Sequence, residues 1–127
     1  MQMTVLMVAV GGGLGAVTRY LLAVKLYGQL GIGFPWGTLA VNLAGSLALG
    51  VILGLVEERD AFSLEVRTAI TVGFLGGLTT FSAFVYESWT YLRNDDPFLM
   101  AAYVALSVVL GLLAFAAGHS GVVALSD

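Results

Sequence analysis

The sequence predicts an all-α membrane protein with four transmembrane helices, the third of them broken. Three observations carry this expectation. Of 127 residues, 59% are hydrophobic and only 10% are charged, against roughly 25% charge in soluble domains, and mean hydropathy is +0.97. The charges gather at four places, leaving apolar stretches at 1–18, 31–56, 68–86 and 97–126, each near or above the ~20 residues that span hydrocarbon. Within the third stretch, Gly76 and Gly77 precede Thr79 and Thr80. Such a run loosens the helical ladder, and an unwound turn at membrane depth is tolerated only where it is buried in protein or lines a polar path.

Helix 1 is expected over about 4–27. Its apolar start lacks the basic leader of a cleaved signal peptide, since the first basic residue is Arg19. Helix 2 is expected over 35–56, with Pro35 in the first turn, where its missing N–H costs nothing. Helix 3 is expected over 66–92, after a charged loop at 57–65. Helix 4, over 97–120, opens with Asp96 as N-cap and Pro97 as first helical residue. No internal repeat or linker divides the chain, so 1–127 reads as a single domain.

Small residues recur at i, i+4 spacing: Gly11 and Gly15, then Ser46, Gly50 and Gly54, then Gly73 and Gly77, and finally Gly111. Lipid gives helices no hydrophobic reason to associate, so close backbone approach at small residues must supply dispersion contacts. Four helices of this length make too thin a bundle to enclose a wet pore, and oligomerisation is expected.

Charge limits the function classes. A net charge of −3 excludes a basic nucleic-acid footprint, and zero cysteines exclude disulfide and thiolate chemistry. The single histidine, His119, lies near the end of helix 4, read as an interfacial side chain, and no carboxylate occupies the centre of a span. Neither an acid–base pair nor a metal cluster assembles from these parts, so no enzyme is expected. With the N-terminus inside, Arg59 and Arg67 face Lys25, Arg93 and Arg19 outside. That balance gives the insertion machinery almost no preference, and antiparallel pairs of oppositely inserted chains follow from it.

The polar residues inside the spans carry the chemistry. Asn42 sits mid-helix with Thr38 one turn before and Ser46 one turn after; it reads equally as interhelical hydrogen-bonding glue and as an N–H donor to an anion. Phe81 and Phe84 share a helix face beside Thr80, and aromatic edges carry partial positive charge that meets an anion weakly enough to release it. In helix 4, Tyr103, Ser107 and Gly111 follow at i, i+4, two hydroxyls and a gap on one stripe. Arg19 suits a vestibule that draws anions in, or a helix-end structural role, and Glu87 requires a donor partner.

The runs 11–20 (GGGLGAVTRY), 37–46 (GTLAVNLAGS) and 73–84 (GFLGGLTTFSAF) resemble the Fluc/CrcB family of small fluoride channels. The resemblance implies a passive fluoride-exporting channel of the inner (plasma) membrane, embedded in lipid as an antiparallel, dual-topology homodimer. It further implies a structural sodium ion on the dimer axis, held by main-chain carbonyls of Gly76 and Thr79. Phe81 and Phe84 become the phenylalanine box, Asn42 a donor to fluoride, and Tyr103 and Ser107 a track on helix 4, with Thr38 and Thr80 among the path residues and Arg19 in the vestibule. Two positions depart from the family pattern: Gly111 replaces a track hydroxyl and Ala83 a common threonine. Rival classes are a proton-coupled four-helix drug exporter, which needs a helix 1 glutamate absent from this chain, and a non-transporting membrane assembly protein.

Overall fold

The computed structural model describes residues 1–126, and nearly all of them are helical. In chain order these are α1 (Gln2–Leu30), α2 (Trp36–Arg59), α3 (Leu64–Thr68), a π-helical stretch (Ala69–Leu75), α4 (Gly76–Leu78), α5 (Phe81–Arg93) and α6 (Pro97–Ala124). The pieces from Leu64 to Arg93 form one interrupted span, so four spans of 29, 24, 30 and 28 residues are long and apolar enough to cross a membrane. At ~1.5 Å per residue even the shortest exceeds the ~30 Å hydrocarbon core.

Local chemistry sets the ends. α1 continues to Leu30 and stops at Gly31, whose φ of 82° suits a residue without Cβ. Pro35, expected inside the first turn, stands one position before α2, where its carbonyl accepts from Leu39 N at 3.0 Å. At α6, Asp96 Oδ1 accepts from Leu99 N at 3.0 Å and Pro97 opens the helix, a capped start that needs nothing further.

Two close helix pairs build the bundle. α2 lies against α6 because Gly50 faces the Phe115 carbonyl and Gly118 faces the Leu47 carbonyl, where any Cβ would collide with backbone. α1 lies against the third span in the same way, Gly15 on the Phe74 carbonyl and Gly77 on the Gly12 carbonyl. Such contacts replace the missing hydrophobic drive with dispersion. Val41, Leu75 and Leu78 form the small buried core between the pairs, while Leu14, Val17, Leu112 and Leu113 are exposed. An apolar exterior around four spans makes this a multi-pass membrane protein.

The interruption falls one turn later than the glycines suggested. Gly76 and Gly77 are helical, and the backbone turns extended at Thr79 (φ −81°, ψ 156°) and Thr80 (φ −149°, ψ 117°). Gly77 serves helix approach, whereas β-branched threonine tolerates extended backbone well. Near the other ends of α2 and α6, His119 Nε2 lies 2.7 Å from Glu57 Oε2, so the histidine joins two helices at an exposed site.

Candidate functional site

Breaking a helix inside hydrocarbon strands backbone groups, and Asn42 answers two of them. Its Nδ2 donates to the Thr80 carbonyl at 3.1 Å and its Oδ1 accepts from Thr80 N at 2.8 Å. Thr80 caps α5 in turn, its Oγ1 accepting from Ala83 N at 3.2 Å. These bonds have a consequence upstream. In an unbroken helix Thr80 N would serve the Gly76 carbonyl and Ala83 N the Thr79 carbonyl; both donors are diverted, so both carbonyls lose their helical partners. Arg19 Nη1 takes up the Thr79 carbonyl at 3.2 Å.

An open cleft of about 370 Å³ lies beside the break, lined by Asn42, Ser46, Thr80, Phe81, Phe84 and Ser107 among others. Its hydroxyls differ in their commitments. Ser46 Oγ donates to the Asn42 carbonyl at 2.8 Å and Thr79 Oγ1 to the Leu75 carbonyl at 2.9 Å. Ser107 Oγ is buried and has no hydrogen-bond partner among the described residues, so its proton is uncommitted. Asn42 has a second amide hydrogen beyond the one given to Thr80. Phe81 and Phe84 flank these donors with ring centroids 5.6 Å apart, tilted 41°. No lining side chain of this cleft is ionisable at neutral pH.

Beyond Phe84 the stack continues to Tyr103, 5.3 Å away, which is fully buried. Tyr103 donates to Glu87 Oε2 at 2.7 Å, while Thr38 and Tyr27 donate to Glu87 Oε1 at 2.6 and 3.3 Å. Three hydroxyls from α1, α2 and α6 therefore hold one carboxylate of α5. Glu87 is partly buried, and a carboxylate withdrawn from water needs such donors to offset the desolvation cost. Arg19 and Glu87 both line a further cleft of about 320 Å³ between α1 and the break.

Comparison with known proteins bears on what this arrangement is for. The family model described as CrcB-like protein, Camphor Resistance (CrcB), matches residues 6–119. The chain belongs to the CrcB family. It is 49% identical over 111 residues to the fluoride-specific ion channel FluC of Hahella chejuensis, covering 87% of each chain. With the protein of the same name from Geobacter sulfurreducens it shares 44% over 115 residues, 91% of this chain and 93% of that one. The Bacteroides fragilis FluC is 42% identical over 117 residues, covering 90% and 91% respectively.

In this CrcB-family chain the residues singled out from sequence divide into three groups. Asn42, Thr80, Phe81, Phe84 and Ser107 share the cleft at the break, and Gly76 and Thr79 border it. Tyr103 and Thr38 instead converge on Glu87, one turn along α5. Arg19 stands on the α1 side, bonded to Thr79. Tyr27 was not anticipated as a partner of Glu87; a tyrosine near the end of an apolar span looks like any interfacial aromatic.

Proposed function

We propose that this CrcB-family chain is a passive fluoride channel of the cell's inner membrane that lowers cytoplasmic fluoride. The unpartnered Ser107 hydroxyl, buried in a cleft of neutral donors and phenylalanine edges, is the observation that carries the reading. Fluoride is small and strongly hydrated, so close O–H and N–H donors must replace its water. Neutral donors and ring edges hold it without the tight grip of a lysine, and it can leave. The FluC names of relatives at 42–49% identity support the same ion.

The working unit is an antiparallel homodimer. Phe81, at the cleft's margin, is 76% exposed in the single chain, and a second copy would cover it; the near-balance of Lys and Arg favours insertion both ways up. A sodium ion on the two-fold axis fits the diverted hydrogen bonds, which leave the Gly76 carbonyl without its helical donor. The Thr79 carbonyl keeps one lone pair beyond the bond from Arg19. Repeated in both copies, these oxygens form a small ring whose positive ion offsets part of the cost of nearby anions.

Purified protein in fluoride-loaded liposomes tests the function. Rapid efflux at a fluoride electrode, with chloride nearly retained, is the expected result; equal efflux of both ions, or of neither, overturns it.

A further inference from the structure

The stripe Tyr103, Ser107 and Gly111 on α6 loses its hydroxyl at the third position, yet the cleft is not apolar there. Across from Gly111, α2 presents Ser46, and a Cβ built on Gly111 would lie 3.8 Å from Ser46 Oγ. The Ser46 oxygen therefore lies over Gly111, one helical turn beyond Ser107, where a side chain at 111 would otherwise point. We propose that Ser46 is the missing hydroxyl of the fluoride path, delivered from α2 rather than α6, with Gly111 leaving the room it occupies. The assignment rests on the channel reading and names a donor within it.

The resting bond of Ser46 suits this task. Its Oγ donates to the Asn42 carbonyl four residues back, at 2.8 Å. In an α-helix that carbonyl already accepts the main-chain N–H of residue 46, and the same double acceptance is seen at Leu75, whose carbonyl takes both N and Oγ1 of Thr79 at 2.9 Å. Rotation about one side-chain bond turns the Ser46 proton into the cleft without orphaning a buried carbonyl. Back-bonded serines in membrane helices hold such bonds weakly, and an anion is the stronger acceptor. Ser46 also lies one turn from Asn42 on the same α2 face, so an ion leaving the Asn42 amide meets it next.

Exchange of the hydroxyl between helices tests the assignment. Ser46→Ala is expected to slow fluoride efflux from liposomes about tenfold, the size of one lost donor to a charged group. Ser46→Ala combined with Gly111→Ser returns the hydroxyl from α6 and is expected to restore efflux to within about threefold of native, and Ser46→Thr keeps the donor and should conduct. Gel-filtration profiles of all variants report assembly separately. Native efflux from Ser46→Ala overturns the assignment while leaving the channel intact. So does a slow Ser46→Ala that Gly111→Ser fails to rescue, since lost packing would give that result. If the unaltered protein passes no fluoride, the channel reading falls and the assignment falls with it.

Discussion

Asn42 and Thr80, 38 residues apart, exchange two hydrogen bonds across the break of the third span, at 3.1 and 2.8 Å. The carboxamide acts as a substitute peptide group: it supplies Thr80 with the acceptor and the donor that a continuous helix would have provided. Replacement by Asn42→Leu keeps the bulk and strands both backbone groups, at about 1–3 kcal/mol each. Thermal unfolding in detergent should show a markedly lower midpoint for this variant, together with loss of fluoride efflux. An unchanged midpoint would mean that the break does not depend on Asn42.

Phe81 and Phe84 line the cleft together with its donors, their ring centroids 5.6 Å apart. Phe81→Ile and Phe84→Ile retain apolar volume and remove the quadrupole, so conduction should fall while assembly persists. Efflux and gel filtration are measured side by side. Native assembly together with the native rate of conduction would assign the pair to packing.

Glycine positions separate by what lies against them. A Cβ at Gly77 would strike the Gly12 carbonyl of α1, whereas at Gly13 nothing among the described residues lies within 4 Å. Gly77→Ala is therefore expected to force α1 off the third span at a cost of roughly 1–3 kcal/mol, and Gly13→Ala to be near neutral in the single chain. Unfolding midpoints of the two variants check the contrast; equal effects would refute it.

Much of this architecture was legible from composition, because hydrocarbon demands long apolar runs and most of the few charged residues had to mark the turns, Arg19 and Glu87 apart. The cleft's chemistry was legible too, since Asn42, Phe81, Phe84 and Ser107 are conspicuous in such a background. The place of the break was not. Gly76 and Gly77 are the weaker helix formers, yet the backbone opens at Thr79 and Thr80, because Asn42 on another helix satisfies Thr80 there and α1 requires Gly77 to stay helical. Local propensity contains neither fact. Likewise, Glu87 visibly needed a donor, but only the folded bundle brings Tyr27, Thr38 and Tyr103 to it.

That convergence makes a quantitative prediction. Thr38 and Tyr103 bond different oxygens of Glu87, at 2.6 and 2.7 Å, and each holds a charge-assisted bond of about 1.5–3 kcal/mol. Thr38→Val and Tyr103→Phe should each destabilise the protein by that order. Because they share one carboxylate, their effects should depart from additivity by at least about 0.5 kcal/mol. A double-mutant cycle on unfolding free energies checks this, and strict additivity would show that the three groups do not act as a unit.

Because the sequence has no cysteine, a single introduced thiol reads orientation in the membrane directly. Arg59 and Arg67 lie near one set of span ends and Lys25 and Arg93 near the other, while Arg19 is held at the break by the Thr79 carbonyl, too even a division for the positive charges to select one direction. Glu58 is exposed in the last turn of α2, so Glu58→Cys places a single thiol beside the loop between the second and third spans without disturbing a packed contact. An impermeant maleimide applied to intact cells should label about half of the population, the remainder reacting only after permeabilisation, as mixed insertion requires. Adding two lysines beside Arg59 should then drive the label to one side, since the bias acts on Lys and Arg near span ends. If the native chain is labelled wholly from one side, both copies point the same way. An antiparallel dimer is then ruled out, and with it the two-fold ring of Gly76 and Thr79 carbonyls that would hold sodium.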